Sequence, residues 1–266
     1  MRASSHRLFP RKRESNQGKL WIPAFARTSG VLVLLVFLTI APHAALAQNC
    51  PQPLGQARRL VLVTADNFTT SEASARLYER ATPAEPWRAV SASEPALIGK
   101  TGMAWSYFFR AFAGKSEPIK VEGDKRVPAG FYRIGKSFGT LPPNRAGYLH
   151  VTDGLTCVDD ASSPAYNTIA ARAKIGRQVH GENMWRVPEY KRGLLVDYPT
   201  HAKARAGSCI FIHVRLPEKT GTGGCVALPQ ARVEALQDFA EPGAVLAVLP
   251  RQALGRFKGC LPELAN

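Results

Sequence analysis

Apolar residues form short runs along this chain, and the two most informative runs lie close together. The first covers residues 209–214 (CIFIHV) and is interrupted by one imidazole, His213. The second covers residues 226–228 (VAL) and follows a polar loop that ends in Gly-Gly-Cys. The β-branched and aromatic residues of the first run predict a buried strand, with the second run as its neighbour. If the two strands pair across the loop as a hairpin, His213 and Cys225 face each other at one end of a sheet.

The other apolar runs predict one mainly β domain with few helices. Residues 59–65 (RLVLVTA), 194–198 (LLVDY) and 244–249 read as strands. Residues 229–240 read as an amphipathic helix with Pro in its first turn, whereas residues 71–80 suit a helix or a strand. Turn-forming residues in the segment 120–132 predict two short strands joined by charged turns. We expect an α+β domain over residues 58–250, with the tail at 251–266 packed on it.

The pairing of His213 with Cys225 is the candidate chemistry of the chain. A base close to a cysteine removes the thiol proton, which is what nucleophilic catalysis by sulfur requires. Gly223 and Gly224 carry no side chain, so a peptide backbone can approach the sulfur and the loop can adopt positive φ. Backbone N–H groups of such a turn can face an oxyanion. A lone buried Cys or His is more often ordinary packing, but this combination favours a catalytic site.

The first 47 residues read as an export signal. A basic stretch at 11–27 precedes an apolar core at 31–41, and Ala45-Leu46-Ala47 is a small-x-small cleavage site. An uncleaved anchor is the alternative, and the basic stretch is long enough that we expect the true start to lie after Met1. The formal net charge is +15, but without this segment 28 basic and 19 acidic residues remain, about +9. That charge suits an anionic partner such as a cell-wall polymer, or is simply a solvated basic surface.

Export changes how the five cysteines are interpreted, since disulfides persist in oxidising compartments. An odd number leaves one thiol free, and Cys225 is the candidate. The other four allow three pairings. We prefer Cys50 with Cys260, which joins the two ends of the mature chain, while Cys209 is alternatively an unpaired apolar residue of its strand.

Two segments resemble one known family. Residues 207–228, with IFIHV followed by TGGCVAL, resemble the catalytic segment of bacterial L,D-transpeptidases of the YkuD type. Residues 120–132 (KVEGDKRVPAGFY) are similar to the family's K-x-EGD-x-x-TP-x-G-x-F signature, with Val127 where Thr is usual. The better-known branch has a longer gap between His and Cys, a second His where this chain has Gly223, and an Arg in place of Ala227. The chain therefore resembles a divergent branch.

The resemblance implies a single L,D-transpeptidase-like β-sandwich domain with Cys225 as nucleophile and His213 as base. Thr222, Gly223 and Gly224 would form the oxyanion loop, and the glycines and Phe131 of the second segment would wall the cleft. The implied protein is a periplasmic or envelope-located monomer that acts, without a cofactor, on peptidoglycan stem peptides through a Cys thioester. Two alternatives stay open: an L,D-carboxypeptidase or amidase that hydrolyses the same intermediate, and a non-catalytic wall-binding module with its cysteine in a disulfide.

Other classes of function are poorly supported by the sequence. The histidines and cysteines have no H-x-x-x-H or C-x-x-C spacing, so we expect no metal site. Scattered positive charge without a base-stacking motif argues against nucleic acid, and beyond the signal segment no stretch could cross a membrane. His180, with Glu182 two residues on, is a possible second catalytic imidazole. Nothing in the spacing ties it to Cys225, so we favour a surface histidine.

Overall fold

The computed structural model describes residues 50–142, 145–240 and 243–263, and the expected export signal at 1–47 lies outside them. The strands are β1 (Arg59–Ala65), β2 (Glu72–Glu79), β3 (Arg88–Ala89), β4 (Glu94–Leu97), β5 (Met103–Trp105), β6 (Val127–Gly139), β7 (Leu149–His150), β8 (Leu155–Cys157), β9 (Ile169–Ala171), β10 (Glu182–Asn183), β11 (Gly193–Val196), β12 (Phe211–Val214), β13 (Val226–Leu228) and β14 (Val245–Pro250). The α-helices are α1 (Arg172–Ile175) and α2 (Gln230–Phe239). Short 3₁₀ helices span Leu54–Gln56, Tyr107–Phe112, Met184–Arg186, Pro188–Lys191, Ala202–Ala204 and Arg251–Phe257.

The main sheet closes on itself. Its strand order is β1, β14, β6, β11, β12, β13, β4, β2, and β2 pairs back with β1 in antiparallel fashion. Strand β3 pairs with β2, β5 and β7 pair with β6, and β10, β8 and β9 form a separate small sheet. The mainly β composition expected from the sequence is confirmed. The two-sheet sandwich is not confirmed, because the path is closed and barrel-like, so its strands find partners on both sides.

Strand β12, which carries His213, is buried on both faces. Ile212 and Val214 belong to the main core, together with two residues of β13. Phe211 points the other way, into a smaller apolar cluster that also holds Cys225. Successive side chains of a strand alternate between faces, so a strand covered on both sides reads as a continuous apolar run. This explains the sequence pattern at residues 209–214.

Strands β12 and β13 are neighbours, as expected, but they run parallel rather than as a hairpin. Ile212 is paired with Val226 in the register. The antiparallel partners of the two strands are β11 and β4 instead, so residues 215–225 must return to the end where β12 begins. Cys225, one residue before β13, consequently lies beside Phe211 at the start of β12.

The segment 120–132 does not form two short strands. Residues from Val127 onward belong to β6, a single strand of 13 residues. Pro128 pairs with β5 and Gly130 pairs with β14, so long-range pairing overrides the local turn preference of Pro-Ala-Gly. Phe131, expected in the wall of the cleft, instead lies in the main core with its ring 4.8 Å from that of Phe257.

Two disulfides tie distant parts of this domain together. Cys50–Cys260 joins its ends, which confirms the preferred pairing. Cys157–Cys209 links β8 to the segment before β12, so the interpretation of Cys209 as an unpaired residue is wrong. Cys225 is free and buried. Residues after β14 pack on the domain through Phe257 and through a hydrogen bond from Trp87 Nε1 to the carbonyl of Cys260, 2.9 Å long.

Candidate active site

A cavity of about 340 Å³ opens beside the free cysteine. Its wall includes the end of β12, the loop that leads into β13, and parts of the segment 120–123. All five residues singled out by the sequence line it: His213, Thr222, Gly223, Gly224 and Cys225. The fold therefore gathers these residues around one space.

The Cys225 thiol is hydrogen-bonded to backbone groups at the beginning of β12 and just before it in the chain. Its side chain is 7% exposed. Sγ donates a hydrogen bond to the carbonyl oxygen of Cys209 and accepts one from the amide of Phe211, each 3.4 Å long. Burial, followed by the negative charge of Glu182, raises the pKa of the thiol to about 12, and the Phe211 amide opposes this rise only partly. The resting thiol is consequently protonated at neutral pH.

The His213 imidazole is equally buried, at 7% exposed. Its Nδ1 lies 3.0 Å from the carbonyl oxygen of Val214. Since a carbonyl only accepts, Nδ1 carries the proton and Nε2 keeps a free lone pair. Burial lowers the pKa of this histidine, although the hydrogen bond to Val214 works in the opposite direction. The ring is therefore neutral and able to accept a proton at Nε2.

Within the described chain no hydrogen bond joins the imidazole to the thiol, although both line the same cavity. His213 lies two positions after Phe211 on β12, and therefore on the same face of the strand, the face whose apolar cluster contains Phe211 and Cys225. At rest the thiol is hydrogen-bonded to the Cys209 carbonyl and not to the imidazole.

The loop before the cysteine is closed by one hydroxyl. Thr222 Oγ1 donates to the carbonyl of Cys225 at 2.7 Å and accepts from the amide of Gly224 at 3.1 Å. Gly224 has a φ of +146°, and a Cβ there would lie 3.1 Å from a backbone oxygen. Gly223 has no heavy atom within 4 Å of such a Cβ. The backbone conformation therefore requires the second glycine, whereas the first leaves open space over the cavity.

The EGD turn contributes two charged side chains that the sequence did not assign to the site. Lys120 is 3% exposed and lines the cavity, with Nζ donating to Asp124 Oδ1 at 2.5 Å. Glu122 also lines the cavity and accepts hydrogen bonds from the hydroxyls of Tyr166 and Ser208, 2.5 and 2.7 Å long. The signature segment is thus part of the site's wall, as its resemblance to the family motif could have suggested.

A carboxyl and a phenol also line the cavity. Glu182 Oε1 accepts a hydrogen bond from the Tyr190 hydroxyl at 2.6 Å, and the Tyr190 ring packs against His213 with 5.5 Å between centroids. Burial raises the pKa of Glu182, while the hydrogen bond from Tyr190 lowers it. His180, in contrast, is 78% exposed and paired with Asp159, as the surface interpretation requires. Sequence spacing gave no sign that Glu182 and Tyr190 meet.

Four carboxylates line the cavity, from Glu122, Asp159, Glu182 and Glu189. In the part of the chain that the structure describes, no group of three or more His, Cys, Asp or Glu side chains is placed to hold a metal ion. That same part contains no helix long and apolar enough to cross a membrane.

A free thiol, a neutral imidazole and a glycine loop lie around one cavity. A sequence model of the L,D-transpeptidase catalytic domain (YkuD) matches residues 73–248, and the chain belongs to this family. The family consists of peptidoglycan-modifying enzymes.

Comparison with curated proteins gave no match. Among solved structures, the chain is similar to the helical cell shape determining protein Pgp2 from Campylobacter jejuni, with 16% identity and a TM-score of 0.39. The similarity covers 73% of this chain and 48% of that one, so this chain matches about half the length of that protein.

Proposed function

We propose that this chain is an exported cysteine acyl-transferase that acts on peptidoglycan stem peptides through a thioester on Cys225. The observation that carries the proposal is the free thiol in the same cavity as an imidazole whose Nε2 can accept a proton. Residues 58–250 would be the catalytic domain, and residues 1–47 its signal peptide. Two disulfides are compatible with a periplasmic or envelope location. The protein would act as a monomer without a cofactor.

The first step is the acylation of the sulfur. Cys225 attacks the carbonyl carbon of the diamino-acid residue in a tetrapeptide stem, and His213 Nε2 takes the thiol proton. The carbon–sulfur bond forms, the carbon–nitrogen bond to the terminal D-alanine breaks, and His213 returns the proton to the leaving amine. Membership of the L,D-transpeptidase family supports this choice of bond.

The oxyanion formed in this step needs N–H donors near the sulfur. The amide of Gly224 is already committed to Thr222 Oγ1. The amides of Gly223 and Cys225 are therefore the candidate donors, and the open space at Gly223 allows the carbonyl to approach them.

The second step transfers the acyl group to an acceptor amine, which gives a crosslink or a protein attachment. Transfer to water would instead make the protein an L,D-carboxypeptidase or amidase. A non-catalytic wall-binding module is the less favoured alternative, because in it Cys225 would be held in a disulfide, whereas the two disulfides use the other four cysteines.

Acylation by a carbapenem, followed by intact mass, tests the proposal. We expect one covalent adduct on the wild-type mature protein, no adduct on Cys225→Ala, and a much slower adduct on His213→Gln. A wild type that never reacts, or an adduct that persists in Cys225→Ala, would rule out the proposed nucleophile. Incubation with a tetrapeptide donor, with and without an acceptor amine, then separates transfer from hydrolysis by the mass of the product.

A further inference from the structure

Two of the four cavity carboxylates, Glu122 and Glu182, have no ion pair with any described residue, but of these two only Glu182 keeps an oxygen without a hydrogen-bond partner. Glu189 is paired with Lys219 at 3.2 Å, and Asp159 is paired with His180. The glutamate of the EGD turn accepts two hydroxyl hydrogen bonds, as described above. Glu182 differs from that glutamate because it accepts only one hydrogen bond, from Tyr190, and the charges that act on it most strongly are those of Asp159 and Glu189, both negative.

The geometry of Glu182 leaves part of its carboxylate available to a ligand. Oε1 is occupied by the hydroxyl of Tyr190, whereas Oε2 has no hydrogen-bond partner among the described residues. The side chain lines the same cavity as Cys225. A partly buried carboxylate without a counterion is unfavourable, and a cation placed against it offsets the cost of removing its charge from water.

We propose that Glu182 is the specificity-determining residue for the second substrate and binds the ammonium group of a diamino acceptor. This inference rests on the proposed function. One amino group of the acceptor, charged, would donate to Glu182 Oε2, while the other, uncharged, attacks the thioester carbon. The new carbon–nitrogen bond forms as the carbon–sulfur bond breaks, and the amine proton passes through His213 to the sulfur.

The position of Glu182 gives this binding a chemical consequence. When the thioester breaks, the departing sulfur of Cys225 develops negative charge, which the Glu182 carboxylate opposes. A bound ammonium group neutralises that carboxylate and so stabilises the leaving thiolate. Water brings no such charge. The same contact therefore selects an acceptor with a second, charged amino group over one that lacks it, and favours transfer over hydrolysis.

Two acceptors that differ by one charge test the inference. Lysinamide and norleucinamide share the same α-amine, but only lysinamide has a charged side chain. With a tetrapeptide donor, kcat/KM for each acceptor is measured from the mass of the product. We expect the wild type to prefer lysinamide by roughly ten- to hundredfold, as a hydrogen bond to a charged group allows. Glu182→Gln, which still accepts from Tyr190, should lose this preference through a lower kcat/KM for lysinamide.

Glu189→Gln is the matched control, because this residue also lines the cavity but already has a lysine partner. It should keep the wild-type preference, and Glu182→Asp should keep part of it. An unchanged preference in Glu182→Gln, or an equal loss of rate with both acceptors, would overturn the inference. If the donor acylates Cys225 and releases D-alanine in that case, the proposed function stands alone. If the wild type is never acylated, the proposed function fails, and the inference with it.

Discussion

Alkylation of Cys225 by iodoacetamide at increasing pH reports the protonation state of its thiol. Burial, reinforced by Glu182, raises the pKa of this thiol from an ordinary value of 9.0 to about 12. Burial lowers the pKa of His213, so this ring supplies no positive charge to stabilise a thiolate. At pH 7 the thiolate fraction is then about 1 in 100,000, against roughly 1 in 100 for an ordinary thiol. We therefore expect the resting site to be a neutral pair.

The rate of alkylation should rise about tenfold per pH unit above neutrality, without a plateau below pH 10, because only the thiolate reacts. Limited access to the buried sulfur lowers every rate equally and leaves this slope unchanged. The adduct is counted by intact mass under non-reducing conditions, in which the four disulfide-bonded cysteines do not react. Cys225→Ala serves as the blank.

Glu182→Gln provides a second test by the same measurement. After burial, the negative charge of Glu182 is the strongest effect that opposes ionisation of Cys225, and this substitution removes it. The alkylation profile of the variant should move to lower pH, whereas a merely structural loss would not shift the profile. A wild-type rate that is fast and already level at pH 7 would indicate a thiolate–imidazolium pair. That result would refute the proposed proton transfer during attack.

Three further predictions concern the stability of the domain that holds the site. Removal of the Cys157–Cys209 disulfide by a double Ala substitution, across a separation of 52 residues, should cost about 4 kcal/mol and lower Tm by roughly 8 to 16 °C. Calorimetry checks this, and a fall under about 3 °C would contradict it. Gly224→Ala should lower the free energy of unfolding, measured in urea, by about 1–3 kcal/mol, while Gly223→Ala should leave it almost unchanged. Equal effects of the two substitutions would refute the claim that only Gly224 is required by the backbone. The ion pair with Arg256 lowers the pKa of Glu117 to about 2, so its stabilisation is complete above 4.5 and lost as pH falls towards 2. In acid-unfolding curves, the free energy of unfolding of Glu117→Gln should depend less on pH between 4.5 and 2 than that of the wild type. A variant curve that matches the wild type would contradict this prediction.

Much of the fold could be predicted because apolar runs report burial directly. The continuous run at 209–214 predicted a buried strand, and β12 is covered on both faces. The helix expected at 229–240 is α2, confirmed over Gln230–Phe239. Residues 71–80, which suited either structure, form β2, since antiparallel pairing with β1 and β4 is available to them. The grouping of the five candidate residues around one cavity was also predicted from their short spacing, although the hairpin assumed for it is wrong.

Pairing direction and partners distant in sequence could not be predicted in this way. A run of apolar residues has the same pattern in a parallel and an antiparallel strand, so the parallel pairing of β12 with β13 left no trace in the local sequence. Glu182 lies 43 residues before Cys225 in the chain, and only the small sheet that contains β10 brings it to the cavity. Its proximity to the thiol is a property of the topology.

The same burial that stabilises β12 also determines how the site must work. A thiol and an imidazole on the covered face of a closed sheet both lose solvation, and each consequently favours its neutral form. A neutral pair is a poor nucleophile towards solutes that reach the site by diffusion, which protects a free cysteine from oxidation. In the proposed mechanism, activation then depends on the bound peptide, whose carbonyl accepts the charge as it leaves the sulfur. In that mechanism the cavity would contribute to the chemistry as well as to the specificity.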